Sequence, residues 1–303
     1  MYVFAYKKRC RYHYLQRFHN FNFSYFDYNQ LDFFNLQAYD FVDSIKGGAL
    51  AVDGTFRRWL IGDMGVNGAF DYTPIHYWSI AAVGAVFVLF FLLAFFLRKH
   101  KKQQRVLLVS VALFQLLFEV AWRLIYLFIK GDAIACWWPV YPCNLGGILL
   151  PIIALTRWQT GKKMFYLFGF IGGVLTFAIS DGIFSNNVLV FPILKSILQH
   201  TGLLLIPMLE YVSGTYRPTL KHIGWVVGGC LVHLINCEGI DRLLGFTGDY
   251  MFFRSGMPFV IPGVPQWITL SVFGLLVLTL LSFLCDIKGS LAWLKKLHKQ
   301  KAA

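Results

Sequence analysis

Charged residues are scarce. Asp, Glu, Lys and Arg make up 14% of the 303 residues, against about 25% in a soluble globular domain. With 57% hydrophobic residues, that shortage excludes a water-soluble enzyme. Paired cysteines are missing as well. Cys10, Cys136, Cys143, Cys230, Cys237 and Cys285 form no CxxC pair and no Cys/His spacing of a zinc site, so neither a metal nor a soluble cofactor is expected. The first sixty residues hold no apolar stretch followed by small residues, so no cleavable signal peptide is expected. No internal repeat is evident. Acidic residues are the scarcer sign, 15 against 28 basic, for a net charge of +13. That excess calls for no nucleic acid, because Lys and Arg of membrane proteins collect in cytoplasmic loops beside anionic lipid.

What the sequence has instead is apolar runs near the length of about 20 residues that crosses a bilayer. Seven are expected, at roughly 77–97, 106–129, 140–157, 163–181, 193–212, 221–240 and 266–285. The fold class is therefore all-α, a polytopic seven-transmembrane-helix bundle. Four basic segments, "RKHKKQQR" (98–105), "RWQTGKK" (157–163), "YRPTLKH" (216–222) and the tail "KGSLAWLKKLHKQKAA", then fall on one side. The positive-inside rule puts that side in the cytoplasm, with the N-terminus outside and the C-terminus inside a cell membrane. The chain divides into three regions: an aromatic-rich extension (1–70), the membrane domain (71–286) and a basic tail (287–303). In the extension, residues 31, 34, 38, 41, 42 and 45 have helical spacing, as in an interfacial amphipathic helix. An extension without its own fold, or a translation start near Met64, fits equally well.

Ionisable groups at membrane depth are costly and face the bundle interior or a watery cavity. The second run carries Glu119 and Arg123 at i,i+4, with Gln115 one turn below. Cys143 and Asn144 start the third run, His200 lies early in the fifth, and His233, Asn236, Cys237 and Glu238 lie late in the sixth. Asp181 ends the fourth. All fall in the extracytoplasmic half, and the inner half holds almost nothing comparable. One polar cavity opening outward is expected. Plainer roles stand beside this one. Cys143 can serve as a small hydrophobe or form a disulfide with Cys136. His200 and His233 can bond neighbouring helices, Glu119 and Arg123 can be a structural pair, and Asn144 and Asn236 can bridge helices.

The stretch "WPVYPCNLGG" (138–147) puts Cys143 in the first turn of a helix, where the positive helix end favours a thiolate. His200 at similar depth would take the thiol proton and return it to a leaving group. Asn144 or first-turn N–H groups would hold an oxyanion. Glu119 and Arg123 would order the cavity or bind a phosphate headgroup, and Asn144, Asn236, Asp249 and Tyr250 would line it. Those parts suit acyl transfer through a thioester on a membrane phospholipid. The rival is a non-enzymatic transporter or assembly factor, with Glu119, Arg123 and the histidines as a proton or substrate path. The absence of inverted repeats disfavours it. Oligomeric state is left open.

"FDYTPIHYW", "WPVYPCNLGGILLPIIAL", "LQHTGLLLIPMLEYVSGTYRPT" and "GDYMFFRSG" together resemble the YwaF-like bacterial integral-membrane family, related to the eukaryotic transmembrane-protein-164 acyltransferases. The resemblance covers about residues 70–285. It implies transfer of fatty acyl chains between phospholipids, with Cys143 as nucleophile and His200 as its base. Two positions depart from the pattern. Tyr141 stands where a histidine is usual, and Asp249 where an asparagine is usual.

Overall fold

Helices start where apolar runs start, and prolines mark several of the entries. A proline has no N–H to lose in a first turn and its φ is already helical. Pro74, Pro142 and Pro192 each stand at such a position. At Pro74 the Thr73 hydroxyl also caps the helix by accepting from the His76 N–H at 3.4 Å. The computed structural model describes residues 54–62, 64, 72–130, 133–179, 187–246, 248–251, 261 and 263–302. Among these residues no strand occurs. The expected amphipathic segment 31–45 and Asp181 lie outside them.

The elements are α1 (Gly54–Ile61), α2 (Pro74–Phe96), α3 (Lys101–Lys130), α4 (Ala133–Trp137), α5 (Pro142–Thr156), α6 (Gln159–Ala178), α7 (Phe191–Val212), α8 (Ile223–Leu234), α9 (Gln266–Cys285) and α10 (Ile287–Ala302). Helix α8 runs on through a π-helical segment, Ile235–Ile240, and a last turn, Asp241–Leu243. Each expected run overlaps one of these helices in its described residues. Five helical segments are long and apolar enough to cross a membrane: Pro74–Lys99, Lys101–Ile129, Phe191–Val212, Leu220–Leu243 and Gln266–Cys285. Helices α5 and α6 fall short for different reasons. The 15 residues of α5 span about 22 Å at 1.5 Å each, less than the roughly 30 Å of a hydrocarbon core. Helix α6 carries Lys162 and Lys163 in its first two turns.

The helices alternate in direction, and hydrogen bonds between their ends show it. Arg105, early in α3, donates to Ala154 O (2.7 Å) and Leu155 O (3.0 Å) at the end of α5. Lys101 donates to Ser213 O just past α7 (2.7 Å). At the other end, His76 Nε2 meets Phe177 O late in α6 (2.8 Å). The bundle therefore has a motif end, carrying residues 138–147, and a basic end. Helix α7 packs against α2, α3, α5 and α6 and is buried along most of its length. Helices α2 and α9 turn Phe, Leu and Val outward instead. At the motif end α1 docks through Trp59 Nε1 to Leu189 O (2.9 Å) and through Leu60, which packs with Trp122 and Phe191.

The basic end corrects one expectation. It holds a buried ion pair, Lys162 Nζ to Glu210 Oε2 at 2.9 Å, with both side chains at most 3% exposed. The Thr215 hydroxyl donates to the same carboxylate oxygen. Polar groups therefore sit at both ends of the bundle. The basic tail is itself the helix α10, tied to the bundle by Leu220 N–H donating to Ser290 Oγ (3.1 Å).

Candidate functional site

Arg123 organises the motif end. Its side chain is 2% exposed, so its charge needs partners in place of water. Nη2 meets Glu119 Oε2 at 3.4 Å, and Nη1 donates to Cys136 O (3.1 Å) and Trp137 O (2.8 Å). Glu119 is fully buried. It also accepts from Trp122 Nε1 (2.9 Å) on Oε2 and from Gln115 Nε2 (3.4 Å) on Oε1. This i,i+4 pair from α3 thus pins the chain that leads into α5.

Helix α8 pins the same chain from the far side. Asn236 Nδ2 donates to Pro139 O (2.7 Å), and Trp138 Nε1 donates to Asp241 Oδ1 (2.7 Å). Both groups lie in or next to the π-helical segment. An inserted residue in a helix rotates the turns beyond it, and here the rotated part meets residues 138 and 139. Tyr250 adds an edge-on ring contact with Tyr141, centroids 5.0 Å apart. Tyr141 thus has an aromatic partner, and Asp249 lies half-buried beside Tyr250.

The first turn of α5 is held by α7. Gln199 Nε2 donates to Cys143 O (2.6 Å) and to Asn144 Oδ1 (3.1 Å). Lys195 Nζ donates to the same Asn144 Oδ1 (3.1 Å) and stands 4.2 Å from the centroid of the Trp122 ring. Cys143 is a half-buried free thiol, so no disulfide joins it to Cys136. Its Sγ lies 3.9 Å from Asn144 Oδ1. Gly147 lets these helices close. A Cβ there would stand 2.8 Å from Glu119 Oε1 and 3.0 Å from Gln199 Nε2.

His200 is 1% exposed and presents a fixed tautomer. Its Nδ1 lies 2.8 Å from Ser196 O and 3.1 Å from Ser196 Oγ. A carbonyl only accepts, so Nδ1 carries the proton and Nε2 keeps its lone pair. Nε2 has no hydrogen-bond partner. The ring packs edge-on against Phe177. No hydrogen bond joins His200 to Cys143.

The structure therefore brings Glu119, Arg123, Cys143, Asn144, Asn236 and Tyr250 around residues 136–144. His200 sits one position from Gln199 on α7. His233 is elsewhere, packed between Phe165 (5.7 Å) and Phe168 (4.5 Å). Glu238 pairs with Arg242 at 3.4 Å. Lys195, Gln199, Trp122 and Asp241 complete the cluster, and none of them stood out from sequence. Lys195 did carry a signal, being a cation inside the apolar run "FPILKSILQHTG". Among the described residues no group of His, Cys, Asp and Glu is arranged to hold a metal ion.

No curated protein and no solved structure matches the chain. A family model does match, over residues 72–283. The match speaks for the transmembrane-protein-164 side of the resemblance and does not reach the bacterial YwaF-like side. The matched stretch runs from the entry of α2 to the last turn of α9 and contains every residue of the cluster around Cys143, and on that extent the chain belongs to the TMEM164 family.

Proposed function

We propose that the protein is an integral-membrane acyltransferase, or acyl hydrolase, acting on phospholipid acyl chains through Cys143 and His200. The observation that carries this reading is His200: a buried imidazole whose Nδ1–H is fixed on a main-chain carbonyl while Nε2 has no partner. Buried polar atoms are nearly always paired, so an open lone pair on a buried imidazole supports its reading as a base awaiting a proton.

The reaction runs in two steps. Nε2 takes the Cys143 proton, and the thiolate attacks an acyl ester carbonyl. The S–C bond forms, the ester C–O bond breaks, and the lysolipid oxygen leaves with the proton returned from Nε2. A second hydroxyl, from a lysolipid acceptor or water, then gives its proton to Nε2 and attacks the thioester. The thiolate leaves and regains its proton from Nε2. The Cys143 N–H or the Asn144 side-chain amide faces the developing oxyanion, since the Asn144 and Leu145 N–H groups donate to Tyr141 O. Glu119 and Arg123 hold the cavity in shape, and Asn144, Asn236, Asp249 and Tyr250 line it. Thiol and imidazole share no hydrogen bond here, and such contacts commonly tighten only with substrate in place.

Within the same proposal all seven helices cross a cell membrane, N-terminus outside and C-terminus in the cytoplasm. The four basic segments gather at the basic end in support of it. The loop ahead of α5 extends that short helix toward the outer interface. A thiol-directed phospholipid probe tests the site. Labelling is expected at Cys143 and lost in Cys143→Ser; labelling retained at full strength in that variant would overturn the nucleophile.

A further inference from the structure

Glu119 and Arg123 neutralise each other, and Arg123 directs its remaining hydrogen-bonded donors at Cys136 O and Trp137 O. That leaves Lys195 with no carboxylate of its own. Its ammonium has three donors. One meets Asn144 Oδ1, and the group rests on the Trp122 face. No carboxylate lies within ion-pairing distance of it among the described residues. The side chain is half-buried, four residues into α7. A cation at that depth without an anion paired to it is costly, and Glu119, Arg123 and Lys195 together carry one net positive charge.

We infer that Lys195 is the phosphate-binding residue of the site, reading the phosphodiester of a glycerophospholipid whose acyl ester reaches Cys143. The inference rests on the acyl-transfer reading above. It also moves the headgroup role from Arg123, whose donors face the protein, to Lys195. Depth agrees with it. Lys195 lies five residues nearer the motif end than His200, about 7.5 Å along α7. In a glycerophospholipid the phosphate likewise lies above the acyl ester, separated from it by two glycerol carbons. Asn144 couples the two levels, since its Oδ1 accepts from Lys195 and lies beside Cys143 Sγ. Trp122 and Gln199 hold the ammonium and the carboxamide in place, so a bound phosphate completes a cradle already formed.

The test uses the full chain in detergent micelles, with lipid binding read by native mass spectrometry. Dioleoyl phosphatidylcholine competes against dioleoylglycerol, which has the same chains and no phosphate. The wild type and Lys195→Arg are expected to prefer the phospholipid roughly tenfold or more, the scale of one charge-assisted hydrogen bond. Lys195→Met is expected to bind both lipids alike, its retained dioleoylglycerol showing that it is folded. A preference that survives Lys195→Met overturns the inference. So does displacement of the phospholipid by millimolar inorganic phosphate, which would make the site one for a soluble anion. Acyl-thioester formation on Cys143 is measured in parallel. A wild type that forms no thioester but loses its headgroup preference in Lys195→Met sinks the transferase reading alone. A Lys195→Met variant with a lowered thioester rate and an intact preference assigns Lys195 to the thiol and overturns the headgroup role.

Discussion

Gly147 is one residue on which the closeness of α3, α5 and α7 depends. A methyl group there enters the space between the Glu119 carboxylate and the Gln199 amide. Gly147→Ala is expected to cost about 1–3 kcal/mol by overpacking, read as a lowered melting temperature in detergent. It should also slow thioester formation, because Gln199 fixes the Cys143 carbonyl. Trp138→Phe leaves the fully buried Asp241 without its indole donor. A loss of roughly 1–3 kcal/mol is expected for that unpaired acceptor, in the same melting measurement. At this scale the sequence was partly legible. Glu119, Arg123, Cys143 and Asn144 stand out because polar groups inside apolar runs are few, and they do converge. Lys195 is easily passed over because a lysine near a helix start normally reaches for the interface. What sequence does not supply is rotation about the helix axis. It orders residues by depth, while contact also needs an angle, and so it ranked His200 beside Cys143 when Gln199 makes the hydrogen bond.

Among the elements, α5 and α8 depart most from plain spans. Helix α5 is short because residues 136–141 do the work of its missing first turns, braced by Arg123 on one side and Asn236 on the other. The π-helical segment of α8 turns Asn236 toward Pro139 and brings Asp241 to Trp138. Asn236→Ala is expected to weaken this brace by about 1 kcal/mol. It should also raise hydrogen–deuterium exchange in residues 136–144 while leaving the basic end unchanged. Uniform exchange along the bundle would show that the brace is not local. Apolar runs revealed where the helices lie because burial and lipid both demand apolar side chains. They could not reveal the π-helical segment, since "INCEGI" has no composition that distinguishes it from an ordinary helical turn.

At the level of the molecule, the two ends of the bundle differ in kind. The basic end is closed by Lys162 and Glu210, a pair hidden in the sequence because Lys162 reads as part of a basic loop. Lys162→Met strands a buried carboxylate, at an expected cost of about 3–5 kcal/mol, whereas Lys162→Met with Glu210→Leu should recover most of it. Thermal unfolding of the single and double variants checks this. The motif end, by contrast, holds the open Nε2 of His200, the half-buried thiol of Cys143 and the Lys195 ammonium with no carboxylate paired to it among the described residues. Acyl transfer by such a set requires a covalent intermediate. Purified protein in phosphatidylcholine nanodiscs would be quenched with acid and its intact mass recorded. The prediction is an added fatty acyl group that maps to Cys143, is released by hydroxylamine, is absent in Cys143→Ala and forms roughly a hundredfold or more slowly in His200→Ala. An unmodified Cys143 in protein that still moves acyl chains, or an adduct on another residue, would contradict it.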